Sequence, residues 1–178
     1  MPAPSKLPAA LRLLVKTLLC LPVVVRADAA ADIQRLLNSG DLPGALARSS
    51  AAMAAPNPDA RMRFLHGVVL MDLQRDGDAQ RVFEALTQSH PQLPDPFNNL
   101  AALHARAGRW DQARAALETA LRNDPGHALA RENLGDVHLQ LAIQAWRAAS
   151  DAGRSDALLR RKIRVAVELS LPPAAPNR

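Results

Sequence analysis

The sequence predicts an all-α protein of stacked helical hairpins, and three observations carry that prediction. First, small residues recur 34 apart: Gly67, Ala101 and Gly135 form one series, and Ala45, Ala79 and Ala113 form another. A fixed period of this length marks a repeat architecture in which each unit buries its apolar face against the next. Second, apolar residues follow a helical period of about 3.6, and no strand-like alternation of Val, Ile and Thr appears outside the first 25 residues. Third, prolines cluster at helix boundaries, as in "PNPD" and "PQLPDP", while Pro91 and Pro125 close successive units. Proline cannot continue a helix that it does not begin.

The stretch "FNNLAALHARAGRWDQARAALETALRNDP" fixes the unit. Phe97, Leu100, Ala101, His104, Ala113, Leu117, Ala120 and Pro125 follow an order of large and small side chains. That order resembles the tetratricopeptide repeat, with Ala101 in place of its usual Gly and His104 in place of its usual Tyr. The alanines have a physical role: at a helix crossing, a side chain larger than methyl holds the backbones apart. Repeats are expected at about 26–59, 60–93 and 94–127, with turns at Gly40, Gln74 and Gly108. Gly at such a turn enters the left-handed region at little cost, and Gln74 breaks the series.

The fourth unit departs from the rule. Leu134, Gly135 and His138 keep their places, but Ala142, Trp146 and Ala149 arrive five positions early. The turn within the atypical unit, about 128–150, is therefore expected to be shortened or lost, with its two helices run together. A last helix at about 155–170 places Leu159, Ile163, Ala166 and Val167 on one face and reads as a cap. Residues 172–178 read as a tail. The predicted class is thus an all-α solenoid of right-handed superhelical type, with an atypical fourth repeat and a C-terminal capping helix.

Residues 1–29 predict a signal peptide: Lys6, Arg12 and Lys16 precede an apolar run from Leu18 to Val25, and Ala27-Asp28-Ala29 fits a small-x-small cleavage site. An uncleaved anchor is the alternative, but the run is short of the roughly 20 residues that a membrane helix needs. Cys20 suggests a lipid anchor, although Leu19 before it is bulky for that signal. Cleavage after Ala29 would leave residues 30–171 as the repeat domain and remove the single cysteine, as suits an oxidising compartment. It would also remove Lys6, Arg12, Lys16 and Arg26 against Asp28, so the formal charge of +5 falls to +2. The remaining charges alternate in sign along helix faces, which argues against nucleic-acid binding.

The catalytic inventory is empty by pattern: there is no His-Glu-x-x-His helix and no phosphate-binding glycine loop. Asp76, Asp78 and Asp111 are expected at helix starts, where they cap the N-terminus and complement its dipole. His104 and His138 are 34 apart, and a shared metal is the alternative to packing roles for their rings. No cofactor and no metal site is expected. The basic cluster of Arg154, Arg160, Arg161, Lys162 and Arg164 reads as the solvated side of the cap, with contact to anionic lipid or glycan as the alternative.

Function is then expected in the concave surface that the first helices of such repeats line. Counting along each first helix selects Gln34 and Asn38; Arg61, Phe64, Val68, Met71 and Asp72; Asp95, Asn98 and Arg106; and Glu132 and Asp136. Phe64, Val68 and Met71 form an apolar strip, expected either to bind a partner or to lie under another part of the chain. The run from "RFLHGVVLMDLQRDGDAQ" through "LPDPFNNLAALHARAGRW" to "ENLGDVHLQLAIQAW" resembles exported tetratricopeptide-repeat proteins of Gram-negative proteobacteria over about residues 30–170. That resemblance implies a non-catalytic periplasmic scaffold for a protein or peptide partner in cell-envelope assembly or maintenance. A membrane-tethered repeat protein, or an accessory metal-binding factor using His104 and His138, is the alternative.

Overall fold

The computed structural model describes residues 29–154 and 156–170, which form eight helices and, among the described residues, no strand. They are α1 (29–39), α2 (Leu42–Met53), α3 (Ala60–Asp72), α4 (Asp76–Ser89), α5 (Pro94–Arg106), α6 (Trp110–Asn123), α7 (Ala128–Asp151) and α8 (Ala157–Ser170). The chain divides into two compact units, Met1–Ala79 and Gln80–Arg178. The leader, apart from Ala29, and the predicted tail lie outside the described residues.

One turn geometry recurs. After α1, the amide of Asp41 donates to the Leu36 carbonyl and that of Gly40 to Leu37, both at 3.0 Å. The same pair of bonds joins Arg75 to Leu70 and Gln74 to Met71, Arg109 to His104 and Gly108 to Ala105, and Arg154 to Ala149 and Gly153 to Ser150. This is the Schellman closure, which needs a left-handed residue after the helix. Gly40, Gln74, Gly108 and Gly153 all have positive φ, at 76°, 58°, 70° and 97°. The first three are 34 apart; the fourth comes 45 residues after Gly108. The turn due near Ala142 is absent, so α7 runs unbroken for 24 residues and closes at Gly153 instead.

In the first unit, Ala30, Ile33, Ala45, Met62, Leu65 and Val69 make the core, and α2 packs on α3. Asp41 and Asp59 cap α2 and α3 by accepting from the amides of Gly44 at 3.0 Å and Met62 at 2.8 Å. Beside this core, Ser49 is fully buried, and its hydroxyl lies 3.0 Å from Nδ1 of His66. The bond satisfies a polar group that would otherwise be costly to bury.

In the second unit, α5 packs on α6, α6 on α7, and α7 on α8, with α5 also touching α7. Ala101, Ala113, Leu117, Ala120, Ala130 and Val137 form its core, with Phe97, Trp110 and Leu134 against them. Ala101 is 1% exposed and Ala113 0%, so the methyl-sized residues sit where α5, α6 and α7 meet. Asp111 is not an N-cap. It lies in the first turn of α6, whose N-cap is Arg109 with no side-chain cap bond, and it pairs with Arg114 at 3.1 Å. One turn of helix separates those partners, so Asp111 complements the helix dipole without capping.

Candidate partner-binding cleft

The expected surface residues divide between the two units. In the first, Gln34 and Asn38 are exposed and bonded to each other, Nε2 of Gln34 donating to Oδ1 of Asn38 at 3.1 Å. Arg61 and Asp72 are exposed as well. Phe64, Val68 and Met71 are half-buried, neither a bare strip nor a sealed one. Phe64, Val68 and Met71 form one stripe of α3 beside the buried Leu65 and Val69, so the strip keeps one edge toward solvent.

The second unit brings part of the expected set together. A cleft of about 550 Å³ opens between α5 and α7. Ala101, Ala105, Leu117 and Val137 line it with apolar surface, and Arg106 and Asp136 bring a cation and an anion from facing helices. Both charged residues are exposed. Ala102, Leu139 and Gln140 add to the walls. These three occupy the same turns as Arg106 and Asp136 but are small or uncharged, and sequence reasoning passed over them for that reason. Alanine walls let an extended backbone approach closely, while Asn133, Gln140, Arg106 and Asp136 offer it donors and acceptors.

Asn98 is a correction. It is only 5% exposed, because its Oδ1 accepts a hydrogen bond from Nδ2 of Asn133 at 2.9 Å across α5 and α7. The surface polar residue at this level is therefore Asn133, held in place from beneath by Asn98. Their separation of 35 residues, one more than the repeat period, was the available signal.

Asp95 is exposed at the start of α5, and its Oδ1 lies 3.1 Å from Nε2 of His127. The other ring nitrogen of His127 accepts from the amide of Ala130 at 3.2 Å and caps α7. An acceptor at Nδ1 puts the proton on Nε2, so the neutral ring can donate to Asp95. Glu132 is exposed on the first turns of α7 but does not line the cleft.

The histidine pair is unequal. His104 is half-buried, and its Nδ1 accepts from Nε of Arg109 at 3.0 Å, while Arg109 also donates to Gln80 at 3.0 Å. Burial holds the His104 imidazole below the usual histidine range, and the Arg109 guanidinium adds to the effect. His138 is exposed. Among the described residues, no three His, Cys, Asp or Glu side chains are grouped to hold a metal ion, and no helix is long and apolar enough to cross a membrane.

Comparison with known proteins agrees with this architecture. The family described as "Tetratricopeptide repeat" matches residues 98–157, which run from α5 into the start of α8. No curated protein sequence matches the chain. The NMR structure of the first TPR domain of human RPAP3 superposes with a TM-score of 0.61 at 13% identity, covering 66% of this chain and 92% of that one. The first TPR of Spaghetti (RPAP3), bound to the HSP90 peptide SRMEEVD, gives 0.60 at 13% identity, over 66% and 93%. The crystal structure of MamA gives 0.57 at 18% identity, over 80% and 81%. At such identities the likeness speaks for the fold. The sequence match makes residues 98–157 similar to the tetratricopeptide repeat, and the recurring turn and the shared fold agree with a helical repeat architecture among the described residues.

Proposed function

We propose that the protein is a non-catalytic scaffold that binds an extended peptide segment of a protein partner in the cleft between α5 and α7. The carrying observation is the cleft itself: alanine walls, apolar depth, and both Arg106 and Asp136 in its lining. Such a surface accepts small apolar side chains below and a polar backbone above. A solved repeat domain of similar fold holds a seven-residue peptide, which supports the mode of binding without naming a partner here.

The leader motivates the rest of the reading, in which the protein is exported to the periplasm and serves cell-envelope assembly or maintenance. Processing after Ala29 would cut inside the first turn of α1, where Ala30 is 1% exposed. A new ammonium group there opposes the helix dipole, so the first turn of the processed form should fray. Fractionation of a Gram-negative host and N-terminal sequencing test this part: periplasmic protein beginning at Ala30 supports it, and full-length cytoplasmic protein contradicts it.

The cleft is tested by photo-crosslinking. A photoreactive residue at Gln140, in the cleft, should capture a partner segment from native envelopes, whereas one at the exposed Ala115 on α6 should not. Capture of the same partner from Ala115 alone would place binding elsewhere.

A further inference from the structure

The capping helix has two apolar faces, and only one is used. Leu159 and Ala166 are buried, with Ile163 half-buried beside them. On another side, Leu158, Val165 and Leu169 are 60%, 43% and 71% exposed. A solvated cap has no need of three large apolar side chains on its outer side, and a cluster of them marks an interaction surface.

Their order is informative. Leu158, Lys162, Val165 and Leu169 are spaced by four, three and four residues, the seam spacing with which one helix packs along another. Leu139 and Trp146 of α7 line the other side, and together the two helices bound a groove of about 380 Å³. Nζ of Lys162 stands 5.7 Å from the Trp146 ring centroid, within cation–π range. Arg161 and Lys162 line the groove, and no carboxylate does.

We infer that this groove between α7 and α8 docks an acidic amphipathic helix of a partner protein, with an aliphatic seam and Glu or Asp beside it. The 4-3-4 spacing selects a helix over an extended strand, whose side chains alternate with period two. Two cations without a carboxylate in the lining select an acidic occupant. The same cations oppose a second copy of this face, which would set Arg161 and Lys162 against themselves. A bilayer surface is the competing occupant, and the vesicle arm of the test separates it from an acidic helix. This site is separate in chemistry from the α5–α7 cleft, although Leu139 and Leu169 line both.

The test uses the full chain with Trp110→Phe, which leaves Trp146 as the single tryptophan reporter and, because Trp110 packs on the second unit's core and lines the peptide cleft, is first matched to wild type in melting temperature. The probe is a synthetic 21-residue helix with Leu at seam positions and Glu beside them, compared with its Lys counterpart. The Glu peptide should bind saturably and shift Trp146 emission to the blue. Arg161→Glu with Lys162→Glu should weaken it at least about tenfold and reverse the preference toward the Lys peptide. Leu158→Asn with Leu169→Asn should abolish binding at an unchanged melting temperature, since both leucines are exposed. The inference is overturned if neither peptide binds, or if both bind alike. It is equally overturned if phosphatidylglycerol vesicles shift Trp146 where the Glu peptide does not, or if sedimentation shows a dimer that the two leucine substitutions dissolve. A cleft variant such as Ala102→Phe should leave this signal intact, which separates the groove from the peptide cleft.

Discussion

Replacing Ala113 by leucine probes the repeat frame more sharply than any surface change. Ala113 is 0% exposed and packs in one cluster with Ala101, Leu117, Ala120, Ala130 and Val137. Leucine adds three carbons to that contact. If space existed, their burial would stabilise the protein by roughly 2 kcal/mol, at about 0.8 kcal/mol per methylene. The crossing is instead lined by methyl groups, so α5 and α6 must separate or Leu117 must leave its rotamer, and overpacking of this kind typically costs about 1–3 kcal/mol net. The second unit has a size at which 1 kcal/mol moves the midpoint by about 4–8 °C. Thermal unfolding followed by Trp110 fluorescence should therefore drop by at least about 4 °C, because Trp110 packs against the same cluster. Ala115→Leu, two residues along but exposed, should change little. Equal shifts for the two variants, or a stabilised Ala113→Leu, would refute the placement of alanine at the crossing.

Three further outcomes are expected. Gln74→Gly should raise the free energy of unfolding in urea by about 0.5–1 kcal/mol: the left-handed φ of 58° costs a non-glycine residue roughly 1–2 kcal/mol, less the greater chain entropy of glycine. Asn133→Ala should cost about 1–3 kcal/mol in urea unfolding, because it strands the buried Oδ1 of Asn98. Acid should destabilise both units through His66 and His104, since burial first, then Arg75 and Arg109 respectively, hold their imidazoles below the usual range. The unfolded chain then takes up protons near the ordinary histidine pKa of about 6.5 while the folded rings do not, so stability is complete above that pH and falls below it until the folded rings titrate. His66→Gln and His104→Gln together should flatten the stability profile below about pH 6.5; an unchanged slope would remove these two rings as its cause.

Periodicity carried the fold class because it reports packing directly. The buried Gly67 and Ala101, and the series Ala45, Ala79 and Ala113, are legible since a crossing of two backbones tolerates only small side chains, whereas Gly135 keeps the period but is exposed, with open space where a Cβ would lie. The cap was legible for the same reason, as Leu159 and Ala166 share a buried face. The new position of the last turn was not, because Gly153 falls outside the 34-residue series and only the unbroken α7 gives it meaning. The cleft was partly legible. Counting along helices found Arg106 and Asp136, which chemistry marks, but passed over Ala102 and Gln140, which matter through shape and position. Asn98 misled because counting assigns a direction to a side chain without its partner; the bond from Asn133 turns it inward. The apolar outer side of α8 was hidden by its arginines, whose charge dominates a reading by composition.

The central claim is that the α5–α7 cleft holds a peptide, and one affinity comparison tests it most directly. The segment crosslinked from Gln140 is synthesised as a peptide, and its binding to the wild-type protein and to Ala102→Phe is measured by calorimetry at matched folded fraction. Ala102 is half-buried and lines the cleft, so phenylalanine there occupies the space for the ligand while leaving the Ala101–Ala113 contact in place. The account predicts at least about a tenfold loss of affinity, the equivalent of 1.4 kcal/mol, with an unchanged fold; undiminished binding to Ala102→Phe would contradict it.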